Sequence, residues 1–181
     1  MRRTAFGFSG QATCEHASEW GNAMSKIAPC LWFDGNAEEA ARFYVSLLPD
    51  SRILQIQKNV IDSPSGKAGS VLLVEFTLAG QRFQALNGGM HFEYTHAVSF
   101  SIDCEDQAEV DRLWDKLSEG GAIEQCGWLK DRYGVPWQIV PSVLPKFLAD
   151  PDPAKAARVM DAMMKMIKID VASLKRAYNG R

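Results

Sequence analysis

The side chains that could do chemistry are few and far apart in the sequence. Three histidines occur, His16, His91 and His96, together with four cysteines. No Cys-x-x-Cys pair is present, so the sequence predicts neither a zinc knuckle nor a thioredoxin-type redox motif. Nor do three scattered histidines support a Ser-His-Asp or Cys-His catalytic arrangement. Cys30 and Cys104 lie in apolar stretches and are interpreted as small buried hydrophobic residues. Because nothing in the sequence then requires an oxidising compartment, the cytoplasm is the expected location.

The composition is that of an ordinary globular protein. Among 181 residues, 46% are hydrophobic and 23% charged, and 20 basic against 22 acidic residues give a net charge of −2. This balance gives no electrostatic reason to expect nucleic acid or an anionic membrane as a partner. The longest apolar runs are far shorter than the roughly 20 residues that a membrane helix needs. The sequence therefore predicts a compact, soluble protein without either partner.

Residues 1–23 differ from the rest of the chain. They mix small residues with two arginines and show neither strand nor helix periodicity. Their apolar stretch is too short for a secretory signal, and Glu15 and Glu19 argue against a transit peptide. The segment is interpreted as a disordered leader or upstream extension, and the folded domain is predicted to span residues 24–181.

Residues 27–88 have the pattern of a strand, a helix and three further strands. The helix carries an apolar stripe at helical spacing: Ala40, Phe43, Tyr44 and Leu47. Asn36 stands where a capping residue is favoured. The strands are predicted at 27–33, 52–59, 71–78 and 81–86.

The same order repeats over residues 97–140. The first strand, 97–103, alternates apolar Val98, Phe100 and Ile102 with Ser99 and Ser101. A helix follows with its own apolar stripe: Val110, Leu113, Trp114 and Leu117. Three strands complete the unit, at 122–125, 128–131 and 135–140. Repetition of a whole supersecondary unit predicts an α+β fold of two βαβββ modules.

Residues 141–181 form a helical tail, with helices predicted at 143–148, from Pro153 onward and at 171–178. Its apolar residues outnumber what one chain's sheets would need: Met160, Met163, Met164, Ile167, Val171 and Leu174. A surplus apolar face is commonly covered by a second copy, so the tail predicts a homodimer. The alternative is that these helices cover the sheet of their own chain.

The repeat and its motifs resemble a known superfamily. The motifs are Phe33-Asp-Gly-Asn-Ala-Glu-Glu-Ala-Ala-Arg-Phe-Tyr44, the run from Cys126 to Pro141 (CGWLKDRYGVPWQIVP), and the run from Asp150 to Met160. Together they are similar to the vicinal oxygen chelate superfamily of glyoxalase I, bleomycin-resistance proteins and extradiol dioxygenases. The nearer resemblance is to its PhnB-like branch, labelled 3-demethylubiquinone-9 3-methyltransferase domain. It implies two half-barrel sheets whose concave side holds a ligand.

In metal-dependent members of the superfamily, four side chains hold a divalent ion. The resemblance places these positions at Pro29, Gln84, Ala97 and Gln138. Pro29 and Ala97 have no ligand atoms and glutamine is a weak ligand, so no metal is expected. A shift of one residue would bring in His96. Strand alternation instead places His96 on the face of Val98, toward the helix, where it is expected to make ordinary hydrogen bonds.

The family label also implies methyl transfer from S-adenosylmethionine. Such a site normally has a glycine-rich turn between a strand and a helix. Here one glycine, Gly35, follows the first strand, and Gly88-Gly89 leads into no predicted helix. No cofactor is therefore expected.

The residues favour a binding protein for a small molecule held in the concave sheet without a conventional metal site. Its predicted ligand-binding residues combine apolar walls with a few polar groups: Leu31, Phe33, Gln84, Leu86, Ser99, Ser101 and Gln138. The same residues could instead fill a closed core. The alternative function is an enzyme, either lyase-, isomerase- or dioxygenase-like, or the methyltransferase that the label names.

Overall fold

The structure, a computed structural model, describes residues 26–181, so the interpretation of residues 1–23 lies outside the described residues. The first module comprises β1 (Cys30–Phe33), α1 (Ala37–Val45), β2 (Arg52–Lys58), β3 (Val71–Leu78) and β4 (Gln81–Asn87). The second comprises β5 (Phe100–Cys104), α2 (Gln107–Ser118), β6 (Ala122–Ile123), β7 (Trp128–Lys130) and β8 (Pro136–Pro141). The tail contains α3 (Val143–Leu148), α4 (Pro153–Met163) and α5 (Val171–Tyr178). Within residues 26–181, none of these helices has the length and apolar character needed to span a bilayer.

Each module forms one four-stranded mixed sheet. The strand orders are β1-β4-β3-β2 and β5-β8-β7-β6, with the first and last strands of each module paired in parallel and the other pairs antiparallel. The two sheets therefore have the same topology. This confirms the predicted α+β fold of two βαβββ modules with C-terminal helices.

One face of each sheet packs against its own helix and the other is open. In the first sheet, Val74, Phe76 and Ala85 are fully buried with Tyr44 of α1 in the core. In the second, the predicted stripe of α2 is buried: Val110, Leu113, Trp114 and Leu117. Because side chains alternate along a strand, the residues between the buried ones lie on the other side of the sheet, here called the open face.

Some strand boundaries differ from the prediction. The strand predicted at 97–103 begins at Phe100, and the one predicted at 27–33 begins at Cys30. Pairing with β8 starts at Phe100↔Trp137, and pairing with β4 starts at Cys30↔Gln84. A strand is defined by its ladder, so it begins where its neighbour begins rather than where the apolar alternation begins.

The start of α1 is capped from another part of the module. The Asn36 side chain makes no capping hydrogen bond, which corrects the sequence prediction. Instead, Asn87 Oδ1 accepts from the Ala37 backbone N–H at 3.0 Å, and Asn87 Nδ2 donates to the Val71 carbonyl at 2.9 Å. The end of β4 thus supplies the group that a local cap would have provided.

A buried carboxylate joins the two modules. Asp131 accepts hydrogen bonds from the Tyr44 hydroxyl of α1 at 2.7 Å and from Trp137 Nε1 at 2.8 Å. The backbone N–H groups of Tyr133 and Val135 also donate to it. Burial raises the pKa of Asp131, although these hydrogen bonds oppose the shift. Four donors thereby satisfy a charge that the core would otherwise disfavour.

The tail helices pack against one another and onto the second module. Their buried residues are Leu144, Val159, Ile169 and Leu174. The backbone N–H groups of Cys126 and Gly127 donate to the carbonyls of Met166 and Ile167, which ties the tail to the segment before β7. Part of the predicted dimer face, including Leu174, therefore covers its own chain. Three residues stay on the surface: Met160, Met164 and Ile167.

Candidate functional site

The structure separates the predicted ligand-binding residues of the first module. Leu31 and Phe33 are only 5% and 4% exposed, and Leu31 lies opposite Ala85 on the face that packs against α1. Gln84 and Leu86 lie between the buried positions of β4, on the open face. These four residues therefore do not line one cavity, because successive residues of a strand point to opposite faces.

The predicted residues of the second module lie close together. Ser101 is directly opposite Gln138 on the open face, and Gln138 Nε2 donates to Ser99 Oγ at 2.9 Å. The separation of these residues from Gln84 and Leu86 reflects the division of the chain into two sheets.

Ser99 and Ser101 also line a groove between the two modules, with a volume of about 520 Å³. We call it the inter-module groove. Its floor consists of buried or half-buried apolar residues from both modules: Leu78, Phe83, Phe100, Ile102 and Trp137. Its polar lining includes Ser99, Ser101, Asp103, Glu105 and Glu109. Sequence reasoning missed the groove because its walls come from segments whose packing no local periodicity encodes.

The groove is acidic. Among the described residues that line it, none is Lys, Arg or His. Glu109 accepts from the Glu105 backbone N–H at 2.9 Å and forms an ion pair with Arg112 at 3.4 Å. Within residues 26–181, the carboxylates of Asp103 and Glu105 have no hydrogen-bond or ion-pair partner. The groove thus has two carboxylates that no basic residue neutralises.

Burial is the largest cause that raises the pKa of the neighbouring Cys104 thiol to about 12; the charges of Glu109 and Asp103 add to the shift, and that of Arg112 opposes it. Cys104 is fully buried at the end of β5, as predicted, whereas Cys30 is exposed at the start of β1, which corrects its predicted burial. A thiol with this pKa stays protonated and is a poor nucleophile, so Cys104 has a structural role.

The open face of the first sheet carries a polar network in which one buried donor, Arg82 Nε, has no partner among residues 26–181. Glu75 Oε1 accepts from Arg82 Nη2 at 2.5 Å and from Gln84 Nε2 at 3.0 Å. These hydrogen bonds, from Gln84 first and then Arg82, hold the pKa of Glu75 below its usual value. Gln84 therefore has a partner within its own sheet.

His96 lies on the opposite side of the second sheet from that predicted. Its Nε2 is 2.7 Å and 2.9 Å from the two carboxylate oxygens of Glu124, and its ring centroid is 5.8 Å from that of Trp128. Trp128 is directly opposite Gln138, so it belongs to the open face. The expectation of a helix-facing His96 is wrong because its segment precedes β5 and is not constrained by the pleat. The expectation of an ordinary hydrogen bond is confirmed.

The superfamily's metal-ligand positions do not fit a metal in this chain. The Pro29 carbonyl accepts from the Gln84 backbone N–H, and Ala97 lies before β5 without a donor side chain. Across residues 26–181, no three His, Cys, Asp or Glu side chains converge as a metal site requires. We derive no reaction step through a metal.

The glycines do not form a nucleotide-type cradle either. A Cβ on Gly88 would lie 1.8 Å from the Trp32 ring, and one on Gly89 would lie 1.8 Å from the Pro64 carbonyl oxygen. These glycines allow close approach of the chain's own residues rather than of a ligand. The residues present therefore do not fit S-adenosylmethionine at this turn.

A family model and a solved structure point to the same protein family. The model of the family described as 3-demethylubiquinone-9 3-methyltransferase matches residues 25–140. A structure described as a putative 3-demethylubiquinone-9 3-methyltransferase, PhnB protein, from Bacillus cereus is 38% identical, with 65% of this chain and 99% of that chain covered and a TM-score of 0.60. A protein from Pseudomonas aeruginosa shares the fold at 24% identity, with 64% and 96% covered and a TM-score of 0.52. Among curated proteins, none matches.

Proposed function

This chain belongs to the PhnB-like 3-demethylubiquinone-9 3-methyltransferase family of the vicinal oxygen chelate superfamily, and we propose that it binds a small organic molecule in the inter-module groove. The proposal moves the ligand from the concave sheet, where the sequence placed it, to the junction of the modules. Ser99 and Ser101 keep their predicted role as ligand contacts. Leu31 and Phe33 become core residues.

The observation that carries the proposal is the character of the groove. Its volume of about 520 Å³ falls within the range of about 300–1,000 Å³ that is typical of small-molecule sites. Its floor is apolar, and its polar lining consists mainly of two serines and three carboxylates. Such a combination holds an apolar body by burial and orients it by a few polar contacts.

An enzymatic function has less support from the same residues. Methyl transfer would need a cofactor cradle, and the superfamily's metal-assisted reactions would need ligands at Pro29 and Ala97, which have none. Shared folds host unrelated activities, so the family label alone does not assign a reaction. We therefore propose binding rather than methyl transfer as the function.

A neutral hydrophobic probe tests the proposal. We expect N-phenyl-1-naphthylamine to bind the wild-type protein with enhanced fluorescence, and Ser101→Trp, which fills the groove from its exposed side, to weaken binding at least about tenfold. Ala68→Trp is the matched control, since Ala68 is exposed in the loop between β2 and β3, outside the groove and the tail. Equal binding by both variants would contradict the groove as the site.

We further propose that the protein is a homodimer through the exposed part of the tail. Met160, Met164 and Ile167 are 44%, 57% and 56% exposed and lie on or just after one helix, α4. Light scattering is expected to give about twice the chain mass of 20.1 kDa. Met164→Glu should shift that mass to the monomer, whereas Lys165→Glu, beside it on the surface, should not. A monomeric wild-type protein would overturn this proposal.

We also propose the cytoplasm as the location. The three described cysteines, Cys30, Cys104 and Cys126, are all free thiols, which a reducing compartment maintains. Fractionation of the expressing cell tests this, and recovery outside the cytoplasmic fraction would contradict it.

A further inference from the structure

We infer that the ligand class of the inter-module groove is an organic cation: an amine joined to a flat, apolar body. This inference rests on the proposed function, because it concerns the same groove. It assigns the apolar body to the floor and the ammonium group to the carboxylates of Asp103 and Glu105.

The floor suits an apolar, aromatic body because part of it consists of three aromatic rings in successive contact, tilted by 62° and 47° to one another. The ring centroids of Phe83 and Phe100 are 5.3 Å apart, and those of Phe100 and Trp137 are also 5.3 Å apart. Phe83 belongs to the first module and the other two rings to the second, so the three rings cross the junction. Ring faces and edges of this kind bind aromatic groups, and ring faces also attract cations.

The lining suits a cation because its charge is uncompensated. Glu109 forms an ion pair with Arg112 at 3.4 Å, and the other terminal nitrogen of Arg112 donates to the Leu47 carbonyl at 2.7 Å. The two exposed carboxylates of Asp103 and Glu105 have no partner among residues 26–181. An anionic ligand would meet both charges as repulsion, whereas an ammonium group would form charge-assisted hydrogen bonds.

A second, smaller aromatic cavity is less suited to a cation than the groove. That cavity, of about 270 Å³, is lined by Trp32, Phe92 and Tyr94 but also by Arg132 and His91. A guanidinium group in the wall disfavours a cationic ligand. The inter-module groove has no such group among its described lining.

Three probes of equal shape and different charge test the inference. They are 4-phenylbutylamine, 4-phenylbutan-1-ol and 4-phenylbutanoate, titrated into the full chain by calorimetry. We expect the amine to bind about tenfold more tightly than the alcohol, since exposed charge pairs contribute modestly, and the carboxylate to bind most weakly. The advantage of the amine should shrink at high salt.

A charge-removing variant identifies the source of the preference. Asp103→Asn/Glu105→Gln should bring the amine to the affinity of the alcohol, both measured on the variant. The matched control, Asp115→Asn/Glu119→Gln, removes two exposed carboxylates of the α2 region outside the groove and should keep the preference.

The outcomes separate this inference from the proposed function. Equal binding of all three probes, or a preference that survives the loss of Asp103 and Glu105, overturns the cationic ligand class while the groove remains a binding site. Failure of all three probes to bind overturns both. Amine selectivity that disappears in the groove variant alone supports both.

Discussion

The inter-module groove and the polar network on the open face of the first sheet are built from different chemistry. In that network Glu75 accepts hydrogen bonds from Arg82 and Gln84, although the buried Nε of Arg82 has no partner among the described residues. In the groove, Asp103 and Glu105 have no partners within the described chain and stand beside an apolar floor. A ligand gains little from polar groups that are already paired, because it must displace existing hydrogen bonds. Unpaired carboxylates beside apolar surface are available at no such cost.

The same contrast holds for the two tryptophans of the second module. Trp137 forms part of the groove floor, is 1% exposed and donates to Asp131, whereas Trp128 lies half-buried on the open face. The floor is therefore also core, and a rigid core surface positions a ligand better than a mobile one.

The largest expected effect comes from removing these rings. Trp137→Ala should lower the free energy of unfolding by about 3–5 kcal/mol, because it opens a cavity and leaves Asp131 with one donor fewer. Trp128→Ala should cost only about 1 kcal/mol, since the ring is half-buried beside His96. Urea denaturation measures both. Similar losses would show that floor and open face are not distinct environments.

A smaller effect compares the two asparagines at the start of α1. Asn87→Ala should lower the free energy of unfolding by about 1–2 kcal/mol, because Ala37 N–H and the Val71 carbonyl lose their partner. Asn36→Ala should change it by no more than about 0.5 kcal/mol, as for a side chain without a capping bond. Thermal and urea unfolding of the two variants check this prediction. A larger loss for Asn36→Ala would support Asn36 as the cap of α1, as the sequence suggested.

The smallest expected effect is on the pH dependence of stability. The contributions of Glu75 on the open face and of Asp131 in the core change in opposite directions with pH. The pKa of Glu75 is lowered from 4.5 by its hydrogen bonds, so its contribution is present above that value and is lost as the pH falls through the folded-state pKa. The pKa of Asp131 is raised from 3.8 by burial, so its contribution falls as the pH rises above 3.8.

Urea midpoints measured from about pH 6 to about pH 3 should therefore diverge between two variants. Glu75→Gln should lose less stability on acidification than the wild type, and Asp131→Asn should lose more. If both variants kept the wild-type pH profile, neither carboxyl group would have a different pKa in the folded and unfolded states.

Local patterns predicted the modules well because they depend on neighbours along the chain. The helix of the second module was predicted from four apolar positions, all of which are buried. Its strand β5 was predicted too early, since the first residue of a ladder is decided by β8. The cap of α1 was assigned to Asn36 because the sequence places Asn36 there, while Asn87 reaches it only after β4 has paired with β1.

The candidate site was harder to predict than the fold. Apolar residues of the first strand, such as Leu31, suit the wall of a ligand site and a protein core equally well. Only pairing in the sheet decides which face they occupy. The groove arises where Phe83 meets Phe100, a contact between two modules that neither module's periodicity contains. Ser99 and Ser101 were predicted because they interrupt an apolar strand with small polar side chains, and both line the groove.

The most direct measurement of where a ligand binds is ¹⁹F NMR of the protein labelled with 5-fluorotryptophan and titrated with 4-phenylbutylamine. Each resonance is assigned with a Trp→Phe variant. Trp137 reports on the groove, and Trp32 and Trp128 report on the open faces of the two sheets. A ligand in the groove should shift the Trp137 resonance and leave those of Trp32 and Trp128 in place. A shift of Trp128 with an unmoved Trp137 would put the ligand on the open face of the second sheet, and a shift of Trp32 with an unmoved Trp137 would put it on the first sheet or in the second aromatic cavity; either result would contradict the account.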